Sequence, residues 1–407
     1  MQAELYFLRL QDAPVWNIAY QVFFHLLYLA VIIYLLCPAM RRRDRIVAPE
    51  YFNKGKWQRL LPGLFLAVVT WIFIGFYPTD IPSDRVIYAR QLQTIIDGGS
   101  FSTRDYGGQE TLSMLGTFDP LYRFLVLHVS PYIGSVVVFM AIWGLIYVGC
   151  YYEACRRMAP DHVFLLFLVV AGSLFFFGYG VSALRQGVGE ALVLLAFVLP
   201  RRRWWLTLLL MICAVMIHFS LLLPCIAFWI GSNFKRTDIL CYIWLAVAVL
   251  SFFIGPLVTK FILSMPSIDP RVEAYLDPNG GGYDLSYFIG FRLDFILYSA
   301  IAIVAGIYYI YRRKYDDAVY TSLINTYLLI MTAWLFLIRI PYTDRIAHLG
   351  WMLAPVILFL PLLGRKQLTT APASAPAIDR VLTPQVIMVL MMVMQLTLKY
   401  VHIRLVF

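Results

Sequence analysis

Charge is what this sequence has least of. Only 14% of its 407 residues are charged and 61% are hydrophobic, whereas a soluble domain carries about 25% charged residues. No water-facing surface can be built from such a chain, which excludes a soluble enzyme. The formal net charge of +10 does not point to nucleic acid. Its Lys and Arg residues sit in tight clusters between apolar runs, as cytoplasmic loops do. Cys37, Cys150, Cys155, Cys213, Cys225 and Cys241 lie at the ends of apolar runs or inside them and give no disulfide framework. No HExxH, paired CxxC, Walker or GxGxxG pattern occurs, so metal, ATP and dinucleotide chemistry have no support and no cofactor is expected. A cleavable signal peptide is not expected, because the first apolar run has no basic leader. No internal repeat is evident.

What the chain has in quantity is apolar runs. A helix needs about 20 apolar residues to cross a bilayer. Runs of that kind cover residues 15–37, 60–76, 131–150, 163–178, 183–199, 239–257, 289–311, 319–338, 346–363 and 386–402. Residues 204–231 lie between two basic clusters and are too few for two full crossings of about 20 residues each, so they predict a short helical hairpin that bends near His218. Irregular backbone at that depth is tolerated only beside protein or a water-filled cavity. The reading is an all-α integral membrane protein, one polytopic domain over residues 1–407, with about twelve transmembrane helices. Basic clusters such as Arg41-Arg42-Arg43, Arg201-Arg202-Arg203 and Arg312-Arg313-Lys314 mark the inner loops and place both termini outside. A long outer segment covers about 77–130, a second outer loop about 258–286, and a flexible inner linker about 366–383.

The informative residues are the polar ones left on the outer side. Arg185 opens a span, Arg339 and Arg345 bracket a short outer turn, and Arg292 and Asp294 start another span. A single arginine at a membrane rim snorkels or pairs with a nearby carboxylate, and Asp344 beside Arg345 and Asp294 near Arg292 fit that. The set is different. Gly187 and Gly189 after Arg185 let backbone or a ligand come close, and fixed guanidinium groups suit phosphate oxygens. Arg185, Arg339 and Arg345 are therefore candidates to hold a diphosphate. Asp84 and Tyr88 would share a face of a helix at i,i+4. Glu190 sits one to two turns inside the membrane from Arg185, and His218 sits at the bend of the hairpin beside Ser220. Ionisable groups at such depth are functional candidates, so Asp84, His218 and Glu190 are the candidate acid–base groups. His348 is a weaker one.

In these motifs the chain resembles the EpsG family of Wzy-like polysaccharide polymerases. Asp84-Arg-Val-Ile-Tyr88 resembles the family's outer Asp-x-x-x-Tyr element. Asp119-Pro-Leu-Tyr122 is similar to the acidic and aromatic element that follows it, with Asp where Glu is usual. Arg185-Gln-Gly-Val-Gly189 looks like Arg-Gln-x-x-small, with Gly189 where Ala is usual, and His218-Phe-Ser220 matches His-x-Ser. Arg339 and Tyr342 resemble a late outer Arg near a Tyr. The resemblance implies a metal-independent glycosyltransferase in the bacterial cytoplasmic (inner) membrane, working at its periplasmic or exterior face. Such an enzyme moves a growing glycan from a polyprenyl diphosphate onto a hydroxyl of the next lipid-linked repeat unit, building exopolysaccharide, capsule or O-antigen. Its implied partners are the lipid-linked donor and acceptor and the membrane lipids; a chain-length regulator is a further partner left open. Tyr88, Asp119, Tyr122 and Tyr342 would then contact sugar. Two other readings share part of the pattern. An O-antigen-ligase-like transferase would use the same donor, and a flippase or transporter of lipid-linked sugars would carry midplane charges and repeats.

Overall fold

The computed structural model describes residues 15–47, 55–79, 84–98, 119–264, 290–340 and 343–405, and among them the regular elements are all helices. In chain order the ones used below are α1 (Val15–Leu36), α2 (Lys56–Gly75), α3 (Asp84–Ile96), the short α4 (Pro120–Phe124) and α5 (Val136–Met158). Next come α6 (Val163–Ala171), α7 (Phe176–Val181), α8 (Leu184–Phe197), α9 (Trp204–Ile217) and α10 (Leu222–Asn233). The chain continues with α11 (Thr237–Ser264), α12 (Leu293–Ile307), α13 (Ala318–Leu335), α14 (Thr343–Trp351), α15 (Ala354–Leu363) and α16 (Pro384–Leu405).

Among the described residues, 7 helical stretches are long and apolar enough to cross a membrane, which makes the chain a multi-pass membrane protein. The α1 helix shows why. Tyr20, Phe24, Tyr28, Val31 and Leu35 form one buried helical face, while Val22, Leu26, Leu29 and Ile33 on the other side are exposed and equally apolar. A helix apolar all round belongs in lipid or in a core. The stretch Thr343–Leu363 is 94% buried and forms the centre of the bundle. The α6, α12, α13 and α16 helices pack around it.

Of the expected crossings outside those 7, the ones in residues 163–231 are short or interrupted, while 386–402 lies within α16. Residues 163–199 form three helices, α6, α7 and α8, because the helix breaks at residues 172–175 and again at Ser182-Ala183. A Cβ on Gly172 would lie 2.4 Å from the Tyr28 ring, so α1 fills the break. A break in lipid frees backbone carbonyls that need partners. Tyrosine hydroxyls supply them: Tyr20 donates to Ala171 O at 2.8 Å, and Tyr147 donates to Phe176 O at 2.8 Å. The hairpin expected at residues 204–231 is present as α9 and α10, joined by a single tight turn at Phe219–Leu221. In the second outer loop, α11 runs on to Ser264, beyond the expected end of its span, and residues 265–286 lie outside the described ones.

The residues read as a flexible inner linker are pinned. Thr370 N donates to Asp44 O at 2.9 Å, Arg313 donates to Thr369 O, and Asp379 pairs with Arg312 at 2.8 Å. The basic clusters at this end of the bundle also find local partners, Arg156 and Arg157 on Glu153 at 2.6 and 2.7 Å and Arg236 on Asp238 at 2.6 Å.

The α2 and α5 helices run antiparallel and touch backbone to backbone, with a Cβ on Gly144 falling 2.9 Å from Gly75 Cα. Small residues allow such contact between membrane helices. Gly144→Val must push the helices apart and should cost about 1–3 kcal/mol. Gly149→Val on the same helix, where a Cβ meets nothing within 4 Å, should leave stability unchanged or slightly raised. Thermal unfolding of the two variants in detergent checks the contrast.

Candidate functional site: two arginines joined by a polar chain

The site lies where α3, α4, α8, α14 and the bend between α9 and α10 meet. The α3 helix presents Asp84 and Tyr88 on one face, as i,i+4 spacing requires. Arg85 points the other way. It is 1% exposed, and its Nη2 donates to Gly75 O at 2.9 Å, at the end of α2. A cation suits a helix C-terminus, and this contact anchors α3 against the bundle.

Asp119 occupies the N-cap position of α4, yet its side chain makes no capping bond. Its carboxylate goes to the bundle instead. Oδ2 accepts from Arg185 Nη1 at 2.5 Å and Oδ1 accepts from Phe219 N at 3.2 Å. Arg185 is the second residue of α8, whose first turn is held by Trp143 Nε1 donating to Leu184 O at 2.9 Å. Arg185 Nε donates to the Tyr88 hydroxyl at 3.2 Å, and the guanidinium stands 5.6 Å from the Tyr88 ring centre and 5.3 Å from that of Tyr122. The side chains of Arg185 and Asp119 are 13% and 2% exposed. One carboxylate thus ties α4, α8 and the hairpin bend together. At that bend His218 Nδ1 lies 2.7 Å from Ser220 Oγ.

A second pair stands beside the first and is far more open. Arg345 Nη2 donates to Asp84 Oδ2 at 3.2 Å, with side chains 40% and 37% exposed. Arg345 therefore reaches across to α3 and is not confined to its neighbour Asp344. Gln186, the residue after Arg185 on α8, ties that helix to Arg345: its Nε2 donates to Arg345 O at 2.7 Å and to Glu190 Oε1 at 2.9 Å. The Glu190 carboxylate lies 2.9 Å from His348 Nδ1, and the His348 ring stacks on Tyr179 at 3.3 Å.

Several expected site residues meet here, and others do not. Asp84, Tyr88, Asp119, Tyr122, Arg185, Glu190, His218 and Arg345 belong to this cluster or adjoin it. Glu190, at 0% exposure, is sealed inside the bundle, where no substrate atom reaches it. Asp119 and Tyr122, at 1% and 3%, have no surface left for a sugar. Arg339 is held elsewhere. Its Nη2 donates to Phe252 O at 3.1 Å and its guanidinium lies 5.5 Å from the Phe291 ring, with Gly255 leaving it room. Tyr342 lies outside the described residues. Arg292 pairs with Asp294 at 2.7 Å, as rim charges do. Gly187 and Gly189 do admit close approach, but by protein: Cβ atoms there would meet Tyr179 O at 2.5 Å and Leu221 Cδ1 at 2.0 Å. The sequence reading missed Gln186, whose i,i+4 spacing to Glu190 was the available signal.

This chain is a helical multi-pass membrane protein with a charged cluster built across helix termini. It belongs to the EpsG family, the family of Wzy-like polymerases, whose model matches residues 60–403 and so every element of the cluster. No curated protein and no solved structure matches it.

The two ion pairs differ in burial, and that separates their costs. Asp119→Ala leaves a buried guanidinium without its carboxylate and should cost about 3–5 kcal/mol. Asp84→Ala breaks a half-exposed pair worth about 1 kcal/mol or less. Thermal unfolding in detergent should rank them clearly, with Asp119→Ala far below wild type and Asp84→Ala close to it.

Proposed function

We propose that the protein is a glycosyltransferase that polymerises polyprenyl-diphosphate-linked repeat units at the outer face of the cytoplasmic membrane. In this reading the chain makes about twelve crossings, the broken and short helices included, with its basic clusters inside and the arginine cluster facing out. Family membership supports the reaction class. The observation that carries the site assignment is the gathering of Arg185 and Arg345, from two different helices, with Asp84 and Tyr88 on the face of a third.

The difference in burial divides the labour. Arg185 is fixed by Asp119 and lends a standing positive field. Arg345 is half exposed and holds Asp84 loosely, so a diphosphate can draw it away. The acceptor hydroxyl oxygen attacks the anomeric carbon of the donor sugar. The bond from that carbon to the diphosphate oxygen breaks, and the lipid diphosphate leaves with the electron pair. Its growing charge is met by the two guanidinium groups: Arg185 is already in place, and Arg345 has been drawn over from Asp84 by the bound diphosphate. The hydroxyl proton passes to Asp84, freed from Arg345 by the diphosphate. His218, at the hairpin bend, stands on the acceptor side and orients it. Tyr88 is the aromatic surface available to a sugar ring.

Reconstitution of the full chain in proteoliposomes with a purified lipid-linked repeat unit tests this. Wild type should yield long polymer. Arg345→Ala should lower elongation about 10²–10³-fold, and Asp84→Asn about 10²–10⁴-fold, both with unfolding temperatures near wild type. Transfer of the repeat unit across the bilayer without elongation would replace this reading with a flippase. Orientation is checked by labelling single cysteines in intact cells with an impermeant reagent. Arg123→Cys, at an exposed position, should react, and Arg202→Cys should react only after permeabilisation.

A further inference from the structure

The pair formed by Glu190 and His348 lies beneath the site and takes no part in the chemistry just described. It is the most enclosed ionisable pair in the cluster, with residue exposures of 0% and 3%. Resting on the polymerase reading, we propose that Glu190 and His348 are positioning residues, a buried strut that fixes the side-chain amide of Gln186 and through it the place of Arg345 relative to Arg185.

The argument starts from the amide. A Gln side chain has one face of donors and one acceptor. Gln186 uses its Nε2 twice, towards Arg345 O at 2.7 Å and Glu190 Oε1 at 2.9 Å. If the amide turned over, its oxygen would face the Arg345 carbonyl, acceptor against acceptor. Glu190 forbids that turn, because a carboxylate can only accept and so demands the NH₂ side. Glu190 is fixed in the same way by His348, whose Nδ1 lies 2.9 Å from it. The imidazole is clamped in turn: Tyr179 lies parallel to it at 3.3 Å and Phe175 meets it edge-on at 5.4 Å. His348 also lines a small cavity together with Tyr151, Ser173 and Tyr298.

The placement along the two helices gives the strut its purpose. Arg185, Gln186 and Glu190 lie on α8, and Arg345 and His348 lie on α14. The contacts from Gln186 to Arg345 O and from Glu190 to His348 are about one turn apart on each helix, so they act as two rivets. Two rivets fix both the spacing and the rotation of α8 against α14. The guanidinium groups of the site project from those same two helices, just beyond the first rivet. A bound diphosphate must meet both groups at once, and displacements of about 1 Å at such a site cost heavily in rate.

The same reconstituted elongation assay separates this from an acid–base role, with inorganic pyrophosphate as a second probe read by thermal shift of the detergent-solubilised chain. Gln186→Leu and Glu190→Leu should each raise the KM for the lipid-linked donor at least tenfold and weaken stabilisation by pyrophosphate, and the double variant should be no worse than either single one. Glu190→Gln keeps an acceptor oxygen for both neighbours. It should restore KM to within about fivefold of wild type and leave the pH profile of elongation unmoved. An inactive Glu190→Gln, or a displaced pH profile, overturns the strut and makes Glu190 a proton-transfer group. A wild-type KM and pyrophosphate response in Gln186→Leu overturns it as well. Wild-type protein that elongates nothing sinks the polymerase reading instead. The strut then stands or falls on pyrophosphate alone: stabilisation kept in Glu190→Gln and lost in Gln186→Leu upholds it, and no stabilisation of wild type overturns both.

Discussion

Everything at the charged end of this molecule depends on one buried ion pair, Arg185 with Asp119 at 2.5 Å. Removing two charges from water is costly, and only close geometry with further hydrogen bonds offsets the loss. Here the further bonds are Arg185 Nε donating to the Tyr88 hydroxyl and Phe219 N donating to the carboxylate. Those partners sit on α3 and at the α9–α10 bend, so satisfying one pair of charges fixes the relative positions of four segments far apart in sequence. A hydrophobic replacement could be as stable, but it would not specify this arrangement.

The helices that carry the site are the irregular ones. The long crossings, such as α5 and α13, hold the bundle together and are close to continuous. The interruptions at residues 172–175, at Phe219–Leu221 and between α14 and α15 bring helix ends and free backbone groups inward. Each end must be satisfied internally, because lipid offers no hydrogen bonds. Tyr20 and Tyr147 do this for the first break, and the Asp119 carboxylate does it for Phe219 N. Polar function and irregular backbone thus share the same residues, which is why Arg185, Gln186 and Arg345 all lie in the opening turns of their helices or just before them.

The sequence made the local features legible. Periodicity gave the Asp84–Tyr88 face, the shortage of residues between two basic clusters gave the hairpin at His218, and apolar length gave the long crossings. Other features were not legible there. Asp119 and Arg185 are separated by 66 positions, and no local pattern reports a pairing at that distance, so Asp119 read as a sugar contact. Arg345 was a diphosphate candidate from sequence, but that its side chain reaches Asp84 on α3, 261 positions away, has no local signal. The break after Ala171, inside the expected span 163–178, could not be seen because what stabilises it is Tyr20 and Tyr28 from α1, while that apolar run itself reads as unbroken. Arg339 carried the right charge in the right region, yet Phe252 and Phe291 seat it apart from the cluster.

The tyrosines of α1 have one more consequence. The match to the family model begins at residue 60, and α1 precedes it. Yet Tyr20 completes the exposed carbonyl of Ala171, and the ring of Tyr28 packs into the space above Gly172 while its hydroxyl meets Gln395 at 2.5 Å. The matched segment is therefore not self-sufficient in this protein: the helix interrupted after Ala171 borrows its hydrogen-bond donor from a helix that precedes the match.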